Sequence, residues 1–425
     1  MSIVVMKFGG TSVADARKIR AAARRAIRAQ KQGRQVVMVV SAMGKETDRL
    51  VDLARQISPT PPHREMDQLL ATGEQVTISL MAMSLEEMGC PAISFTAGQI
   101  GMVTDEAHTK ARLKSIAAEK IHHELDAGKV VIVAGFQGVT ESGAITTLGR
   151  GGSNVTLVAI AAALKADLCE NFTDVDGIFT ADPRIVPTAR KLDAVSYDEM
   201  LELASLGASV LHHRAVEFAK KYDVPLHVRN SEHNRKGTLI VHETESMERI
   251  VVRGAALKEG LARVTLSSVP DHPGVVARIF HQVARENVVV DDIIQTIADN
   301  GKATVSFTVE MAELPECKQA VDILRKELKC SARYEDHLAK VSVVGVGMRT
   351  HTGVAEKMFA SLAAEGINIQ NITTSEIKIS CLINRTQGKK ALRVVHDAFG
   401  LGIQKPARKK PAKKAAKKST RKKAK

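Results

Sequence analysis

Residues 3–12 read IVVMKFGGTS, and this stretch decides how the rest of the chain is interpreted. The apolar run at 3–6 predicts a short buried strand. It leads directly into Lys7, two glycines and two hydroxyl side chains. A lysine supplies a compact cation, glycines let the backbone approach a ligand closely, and hydroxyls donate hydrogen bonds. The junction therefore has the composition of a phosphate site, although a strand ending in two glycines is, by itself, more often an ordinary tight turn.

A second glycine-rich loop strengthens the phosphate interpretation. Residues 146–154 read TTLGRGGSN and lie between an apolar run at 130–136 and an Ala-rich stretch at 155–165, which is the order strand, loop, helix. The first turn of such a helix has free N–H groups and the positive end of the helix dipole, so it favours an anion. Ser153 or Asn154 is predicted to cap this helix.

Strands and helices alternate along residues 1–245. Strands are predicted at 36–40 and 92–95, and helices at 67–88 and, for the most part, 109–127. This alternation indicates an α/β fold with a mostly parallel sheet between helices. Ligands of such sheets bind at the carboxyl ends of the strands. One cleft is therefore expected to collect the loops that follow Met6, Val40, Phe95, Phe136 and Phe172.

The C-terminal third contains an internal repeat. Residues 272–296 align without a gap on residues 351–375, at a constant offset of 79 positions. Each copy has the pattern strand, glycine turn, amphipathic helix, two strands and a helix, which matches the βαββαβ ferredoxin-like module. An extra strand-like run at 250–257 is predicted to pair with the second copy and so interleave the two. The predicted division is 1–245, a linker and strand at 246–260, modules at 261–332 and 333–401, and a tail at 402–425.

The tail holds most of the charge imbalance. The chain has a formal net charge of +14, and twelve of its lysines and arginines, with no acid, lie between Lys405 and Lys425; 14 less 12 leaves +2 for the other residues. Such a low-complexity basic segment is predicted to be disordered. A weak contact with nucleic acid or another polyanion and a purely solubilising role are about equally supported.

Cysteine usage and hydropathy narrow the range of cellular compartments expected for this protein. The five cysteines are odd in number, scattered and without metal-ligand spacing, so neither a disulfide framework nor a protein metal site is predicted. We expect a reducing cytoplasm. No run approaches the ~18 apolar residues of a membrane span, and no membrane partner is predicted.

Five loops carry a combined motif set. They read KFGGTS at 7–12, SAMGKETD at 41–48, ATGE at 71–74, GRGGS at 149–153 and TDVDGIFTADPR at 173–184. In this order, over residues 2–401, the chain resembles the aspartate kinase family, and its repeats look like the paired ACT regulatory domains of that family. The resemblance implies the amino-acid kinase fold, which acetylglutamate, glutamate and uridylate kinases share.

The resemblance implies transfer of the γ-phosphoryl group of ATP, with Mg²⁺, to the side-chain carboxylate of L-aspartate. The product, 4-phospho-L-aspartate, leads to lysine, threonine and methionine. Phosphoryl transfer needs positioning and charge neutralisation more than a protein nucleophile. The substrate carboxylate is ionised at neutral pH and attacks directly, so no general base is required.

Residue roles follow from the same resemblance. Lys7, Gly10 and Arg150 are the catalytic candidates; Glu74 suits the substrate ammonium, and the planar guanidinium of Arg150 suits its α-carboxylate. The residues implied for aspartate are Thr47, Glu74, Arg150, Gly151, Gly152 and Ser153. Those implied for the nucleotide are Lys7, Phe8, Gly9, Gly10, Ser41, Thr173, Asp174, Phe179, Asp182 and Arg184. Alone, residues 173–184 would be read as an Asp-rich turn that stops at Asp-Pro.

ACT pairs typically bind an effector amino acid between two modules, and feedback inhibition by lysine, threonine or both is expected. The first-copy candidates are Asp271, His272, Gly274, Asp291, Asp292 and Gln295, and the weaker second-copy candidates are Asn368, Thr374, Ser375 and Glu376. Ordinary strand-end capping explains these polar residues almost as well. The modules also imply a homo-oligomer. Met247 is a candidate start for a shorter regulatory chain.

Three positions depart from the family pattern. Asn154 replaces a usual aspartate, so a negatively charged role cannot be transferred to it, while helix capping can. His213 replaces a usual proline, and it and its neighbour His212 are interpreted as structural. Thr352 replaces a usual proline in the second-copy turn, which affects an effector loop and not catalysis.

Two alternatives remain open at this point. A different acyl-phosphate kinase of the same fold would keep Lys7 and the glycine loops, but Glu74 with Arg150 favours an α-amino acid substrate. A non-catalytic amino-acid sensor would bind DNA through the tail with strong salt dependence and would not turn over ATP.

Overall fold

The structure, a computed structural model, describes residues 2–149, 151–207, 210–242, 251–298 and 301–402. The strands are β1 (Ile3–Phe8), β2 (Gln35–Val40), β3 (Ala92–Phe95), β4 (Val103–Thr104), β5 (Leu113–Ser115), β6 (Val130–Ala134), β7 (Gln137–Val139), β8 (Ile145–Thr147), β9 (Leu168–Thr173), β10 (Ala194–Ser196), β11 (Leu226–Asn230), β12 (Thr238–Val241), β13 (Gly254–Pro270), β14 (Asp291–Ala298), β15 (Lys302–Glu310), β16 (Ser331–Val344), β17 (Asn371–Ser375) and β18 (Lys378–Asn384). The helices are α1 (Ala16–Lys31), α2 (Glu46–Ile57), α3 (His63–Glu87), α4 (Glu119–Asp126), α5 (Gly152–Ala163), α6 (Tyr197–Ser205), α7 (His213–Lys221), α8 (Val275–Arg285), α9 (Leu314–Leu328), α10 (Val354–Ala364) and α11 (Gly388–Ala398).

An eight-stranded sheet forms the first half, in the order β10-β12-β11-β9-β1-β2-β6-β3. All its pairs are parallel except β11 with β12, which confirms the predicted mostly parallel sheet. Successive side chains of a strand point to opposite faces. Val4 and Met6 of β1 accordingly join one core with α1 and α3, while Val5 joins the other core with α4, α5 and α7. Burial on both faces explains why these strands are continuous apolar runs.

Two local predictions were wrong. The stretch 109–127 is not mainly helix: β5 pairs with β4 in a small four-stranded sheet, and only α4 is helical. Asp105 and Arg112 exchange hydrogen bonds that close a hairpin there, and these compete with a helix. Helix α5 has no side-chain cap, because the N-cap residue is Gly151 at φ 72°, and Ser153 and Asn154 lie inside the first turn.

The second half is an antiparallel sheet of six strands in the order β14-β15-β13-β16-β18-β17. Residues 261–270 of β13 pair with β15, while residues 254–259 pair with residues 339–344 of β16. The predicted interleaving is confirmed. Both β13 and β16 serve two modules, so the boundaries expected at 260/261 and 332/333 fall inside continuous strands.

The two halves contact each other through the loop after β9 and through α6. Thr180 O accepts a hydrogen bond from Ala255 N at 2.8 Å, and Thr180 Oγ1 lies 3.0 Å from Nε2 of His396. On α6, the Glu202 carboxylate pairs with Lys378 at 3.0 Å. Among the helices of the described residues, none combines the length and apolar character needed to cross a membrane.

Candidate active site

Four loops begin side by side at one edge of the parallel sheet. Phe8 of β1 stands opposite Val40 of β2 and Phe172 of β9, and Val40 stands opposite Ala134 of β6. The ladder continues into the loops, since Ser41 N donates to Phe8 O at 3.2 Å. The carboxyl ends of β9, β1, β2 and β6 therefore deliver their loops to one place, as the alternation predicts. We call this place the loop edge.

Lys7 is a buried cation at the loop edge. Its side chain belongs to a residue only 8% exposed, and a Cβ added to Gly9 would lie 3.4 Å from its Nζ. Burial lowers the pKa of Lys7 to about 8, an effect that the nearby charge of Asp174 partly opposes. Within the described residues Lys7 forms no ion pair, so its ammonium is available to an anionic ligand.

The glycine after Gly9 is required by close packing. A Cβ on Gly10 would lie 2.8 Å from Ala42 O and 2.9 Å from Gly44 O, closer than a side chain can approach. Gly44 N also donates to Gly10 O at 3.0 Å. The loops after β1 and β2 are therefore in backbone contact.

The second glycine-rich loop joins the same place. Ser41 Oγ donates to Ser153 Oγ at 3.0 Å, which connects the loop after β2 to the first turn of α5. A Cβ on Gly135, just after β6, would lie 2.7 Å from Ser153 Oγ. The structure thus brings Lys7, Gly9, Gly10, Ser41 and Ser153 to the loop edge, as predicted.

Glu74 projects from α3 under the loop after β2. Its residue is 2% exposed, and its Oε1 accepts a hydrogen bond from Ala42 N at 2.9 Å. Its other oxygen, Oε2, is buried and has no hydrogen-bond partner among the described residues. Burial raises the pKa of Glu74 to about 7. A buried carboxylate oxygen without a donor is costly, and a bound cation removes that cost.

Sequence reasoning missed Asp67, a fully buried residue of α3. Its carboxylate accepts hydrogen bonds from Thr147 Oγ1 at 2.5 Å and from Thr109 N at 3.0 Å, and it lies 2.7 Å from Nδ1 of His108. These contacts fix β8 where it enters the glycine-rich loop. Asp67 precedes Glu74 by seven residues, which is two helical turns, so both lie on one face of α3. An acid two turns before a predicted site residue was the available signal.

Arg214 secures the same loop from α7. Its guanidinium donates to Leu148 O at 2.7 Å and to Ala111 O at 3.0 Å. Gly151 then packs against His212, because a Cβ on Gly151 would lie 2.5 Å from the Cβ of that histidine. Arg150, between these anchors, lies outside the described residues, so its predicted contact with substrate stays a prediction. Thr47 lies in the first turn of α2 and Gly152 begins α5.

The predicted nucleotide residues are spread along the loop after β9. Thr173 ends β9 at the loop edge and its hydroxyl donates to Asp174 Oδ1 at 3.1 Å. Further along, Arg184 pairs with Asp182 at 2.7 Å, and Phe179 packs against the core of the second module. The hydrogen bond and charge of Asp182, and more weakly the charge of Asp174, raise the pKa of Arg184, so the three side chains lie near one another.

Phe8 is a core residue. It is 1% exposed, and its ring stacks on that of Phe172 with 4.8 Å between ring centroids. The Phe8 ring therefore cannot reach a nucleotide, and a contact from this position falls to its backbone.

A cavity of about 460 Å³ lies at the end of β13. Four of the predicted effector residues line it: Asp271, His272, Gly274 and Gln295. Asp291 and Asp292 do not; their carboxylates instead pair with the buried ammonium of Lys340, at 2.7 Å and 2.5 Å. A lysine buried in the sheet needs such partners, which explains the two adjacent acids.

The second-copy effector candidates lie elsewhere. Thr374 and Ser375 end β17, which is the opposite edge of the six-stranded sheet from β14. Asn368 precedes that strand, and Glu376 follows it. A single chain therefore does not bring the two predicted effector groups together.

The departures from the family pattern have local explanations. His212 caps α7, and burial together with the charge of His213 lowers the pKa of His212 to about 4, so it is neutral. No cluster of three or more metal-ligating side chains occurs among the described residues. Asn154 is buried in the first turn of α5 with its Oδ1 lacking a partner in the described structure. Thr352 lies in the exposed turn before α10.

Comparison with known proteins defines the class of this chain. The profile described as "Amino acid kinase family" matches residues 2–230, and an ACT domain profile matches residues 341–399. The crystal structure of Escherichia coli aspartokinase III in complex with aspartate and ADP, in its R-state, superposes with a TM-score of 0.82 at 28% identity, covering 93% of this chain and 99% of that one. The chain is thus an amino-acid kinase with a C-terminal ACT region.

The sequence relatives are more specific. The aspartokinase of Geobacillus stearothermophilus is 51% identical over 407 residues, which is 96% of this chain and 99% of that protein. The aspartokinase of Mycolicibacterium smegmatis is 48% identical over 95% of this chain and 97% of its own. The chain belongs to the aspartokinases, ATP-dependent enzymes that phosphorylate the side-chain carboxylate of L-aspartate. Membership of this family favours an aspartate kinase over the two alternatives, a different acyl-phosphate kinase and a non-catalytic amino-acid sensor.

Proposed function

We propose that the loop edge binds ATP and L-aspartate together, and that Lys7, Gly10 and Arg150 act on the phosphoryl group in transfer. One observation carries this proposal: Lys7 offers a buried ammonium without an ion pair, and Glu74 offers a buried carboxylate oxygen without a donor among the described residues, at the same loops. A phosphate satisfies the first group and a substrate ammonium satisfies the second.

For aspartate, Glu74 Oε2 receives the α-ammonium group and Arg150 the α-carboxylate. A charge-assisted hydrogen bond to the ammonium favours the ionised form of Glu74, against the burial that raises its pKa. The backbone at Gly151 and Gly152 and the hydroxyls of Thr47 and Ser153 complete the pocket. The hydrogen bond between Ser41 and Ser153 at the loop edge supports this assignment.

For the nucleotide, Lys7 and the backbone at Phe8 and Gly10 face the phosphates, with the Ser41 hydroxyl beside them. Gly9 contributes by its small size, because its N–H donates to Phe172 O at 3.3 Å. The loop after β9 supplies Thr173, Asp174, Phe179, Asp182 and Arg184. Mg²⁺ usually keeps several waters and binds through one or two carboxylates plus substrate phosphates. Asp174, exposed at the loop edge and within electrostatic reach of Lys7, is the carboxylate that fits such an ion. When bound, Mg²⁺ neutralises charge on the phosphates.

These residues then position the two substrates and neutralise the charge of the phosphoryl group. The side-chain carboxylate of aspartate attacks the γ-phosphorus, the bond from that phosphorus to the bridging oxygen breaks, and ADP leaves. Lys7 stabilises the charge that spreads over the phosphoryl oxygens.

Regulation is proposed through the ACT region. The cavity lined by Asp271, His272, Gly274 and Gln295 has the size and polarity for an amino-acid effector, lysine or threonine. Escherichia coli aspartokinase III in complex with lysine and aspartate, in its T-state, superposes with a TM-score of 0.70. Since the second-copy residues lie at the opposite sheet edge, a site that combines both groups requires a second chain, which supports a homo-oligomer.

Other expectations remain proposals. The division into residues 1–245, 246–260, 261–332, 333–401 and 402–425 is kept as a functional description. A cytoplasmic location agrees with five cysteines that are all unpaired and buried. A nucleic-acid contact by the tail and a regulatory chain starting at Met247 involve residues outside those that the structure describes.

A coupled assay with ATP, Mg²⁺ and a panel of amino acids tests the proposed site. Glu74→Gln keeps the side-chain shape and the hydrogen bond from Ala42 but removes the charge, so KM for aspartate should rise at least tenfold while KM for ATP changes little. Lys7→Met should instead lower kcat by a factor of about 10³, a few kcal/mol at 1.4 kcal/mol per decade. Normal kinetics for aspartate in Glu74→Gln would remove the proposed substrate contact.

A further inference from the structure

The outer face of α1 carries a stripe of five cations, Arg17, Arg20, Arg24, Arg28 and Lys31. All five are exposed. Their spacing of three or four residues places them within roughly 80° of the helix circumference, and the stripe extends over about 21 Å at 1.5 Å per residue. We call this set the basic stripe.

None of the five forms an ion pair with an acid among the described residues. The other two cations of α1 behave differently: Lys18 donates to Thr11 O at 2.8 Å, and Arg25 donates to Ser231 O at 3.0 Å and lies over the ring of Phe172. These two serve the fold, whereas the basic stripe faces solvent. Burial, and after it the charges of Arg229 and Arg28, lower the pKa of Arg25, so Arg28 lies within electrostatic reach of another cation.

Such a stripe is unfavourable for the helix itself. Like charges three or four residues apart repel one another and destabilise a helix. The helix does not need them for packing, since its buried face consists of Ile19 and alanines. Helix α1 has no acid along its 16 residues that could offset this repulsion. A negatively charged partner would offset it.

We propose that the basic stripe of α1 binds the phosphate backbone of double-stranded nucleic acid. Duplex phosphates repeat every 3.4 Å along each strand, so a stripe of about 21 Å faces roughly six base pairs. Four of its five residues are arginines, whose planar guanidinium binds phosphate through two points. No aromatic residue lies on α1 to stack on a base, so binding is independent of sequence.

The surface chemistry favours nucleic acid over a membrane. A helix that lies on a lipid surface buries an apolar face of large side chains in the headgroup region. The apolar face of α1 is already packed against the sheet, as Ile19, Ala22, Ala23 and Ala26 are buried. The twelve cations at 405–425 add a second basic segment of the same chain, which raises affinity for the same polyanion.

The test measures binding of the full-length protein to a fluorescent duplex of about 20 base pairs by anisotropy, between about 50 and 200 mM salt. The stripe variant replaces Arg17, Arg20, Arg24, Arg28 and Lys31 with Gln. The control variant makes the same charge change at scattered exposed cations, Lys120, Lys326, Lys329, Arg385 and Lys389. Both are also made in a chain that ends at Gly402, which isolates the contribution of the tail.

The stripe variant should bind at least tenfold more weakly than the control variant. Its salt slope should be shallower by about 0.9 for each phosphate that the stripe no longer neutralises. Replacing the four arginines by Lys should retain most of the binding. Equal binding by stripe and control variants, or binding to anionic phosphatidylserine vesicles with none to the duplex, would overturn the proposal.

Aspartate kinase activity, measured on every variant, reports folding and should stay near that of the parent chain. If the stripe variant with its five substitutions loses this activity, the double variant Arg20→Gln, Arg24→Gln is compared with a double variant at two of the control positions, which removes fewer charges. The basic stripe lies on the outer face of α1, where it faces solvent. We therefore expect kinase activity to stay the same whether or not the stripe variant binds the duplex more weakly than the control variant.

Discussion

Asp67 and Thr147 form a buried hydrogen bond of 2.5 Å that ties helix α3 to the strand leading into the glycine-rich loop. The same carboxylate holds Thr109 N and His108. Since Glu74 lies two turns later on α3, this helix positions both the loop and the proposed ammonium contact. We therefore expect Asp67 to affect the proposed substrate pocket through the loop that it holds.

Asp67→Asn should destabilise the protein by about 1–3 kcal/mol, because the amide presents a donor where two donors already point. It should also raise KM for aspartate through the displaced loop. Urea unfolding and steady-state kinetics measure the two effects. Thr147→Val removes the other partner, and the double variant should cost less than the sum of the singles, since both remove one contact. Strict additivity would show that the two side chains act independently.

Glu74→Gln should stabilise the ligand-free protein at pH 8 while it damages aspartate binding. The folded pKa of about 7 lies above the ordinary value of 4.5, so the folded state holds this proton more tightly than the unfolded state. The resulting penalty on folding is complete above pH 7 and disappears as the pH falls toward 4.5. Its size is on the order of 3 kcal/mol, because one pKa unit corresponds to about 1.4 kcal/mol. Unfolding free energies of parent and variant should therefore differ at pH 8 and converge at pH 4.5; an equal difference at both pH values contradicts the assignment.

The pH dependence of the reaction should reflect the two buried charges. Below about pH 7 Glu74 is protonated in the free enzyme and cannot bind an ammonium, so kcat/KM for aspartate should fall on the acid side. Above about pH 8 Lys7 loses its charge, so kcat/KM for ATP should fall on the alkaline side. The acid limb should vanish in Glu74→Gln, which serves as the control. A flat profile for both substrates from pH 6 to 9 would disagree with these environments.

The two acids that hold Lys340 should differ in importance. The side chain of Asp292 is 7% exposed and that of Asp291 is 56% exposed. Removing a buried partner leaves a buried charge and costs about 3–5 kcal/mol, whereas an exposed partner contributes about 0–1 kcal/mol. Asp292→Ala should therefore lower the midpoint of unfolding far more than Asp291→Ala. Equal decreases in the midpoint of unfolding would mean that both carboxylates stabilise the buried ammonium of Lys340 equally.

Much of this organisation was predictable because it follows from strong local patterns. The runs at 3–6 and 130–136 are apolar on both faces, which only buried parallel strands require, and the 79-residue offset revealed two modules. Ser153 and Asn154 failed as caps because the helix begins earlier, with Gly151 as its N-cap residue in the left-handed region, where a Cβ would also clash with His212. Asp291 and Asp292 appeared as ligand groups because their partner Lys340 lies about fifty residues away in sequence, and no local pattern records such pairings. The partners of Asp67 also lie far from it along the chain, so its position two turns before Glu74 was the one local signal for it.

Strand β13 spans 17 residues through both regulatory modules, with irregular pairing between Glu259 and Arg263 and between Leu266 and Val269. At about 3.3 Å per residue it extends at most roughly 55 Å, and it belongs to both modules. The cavity near Pro270 and the contact with the kinase half near Gly254 thus lie on one strand. We expect a displacement of β13 at the cavity to change the position of the strand where it meets the kinase half.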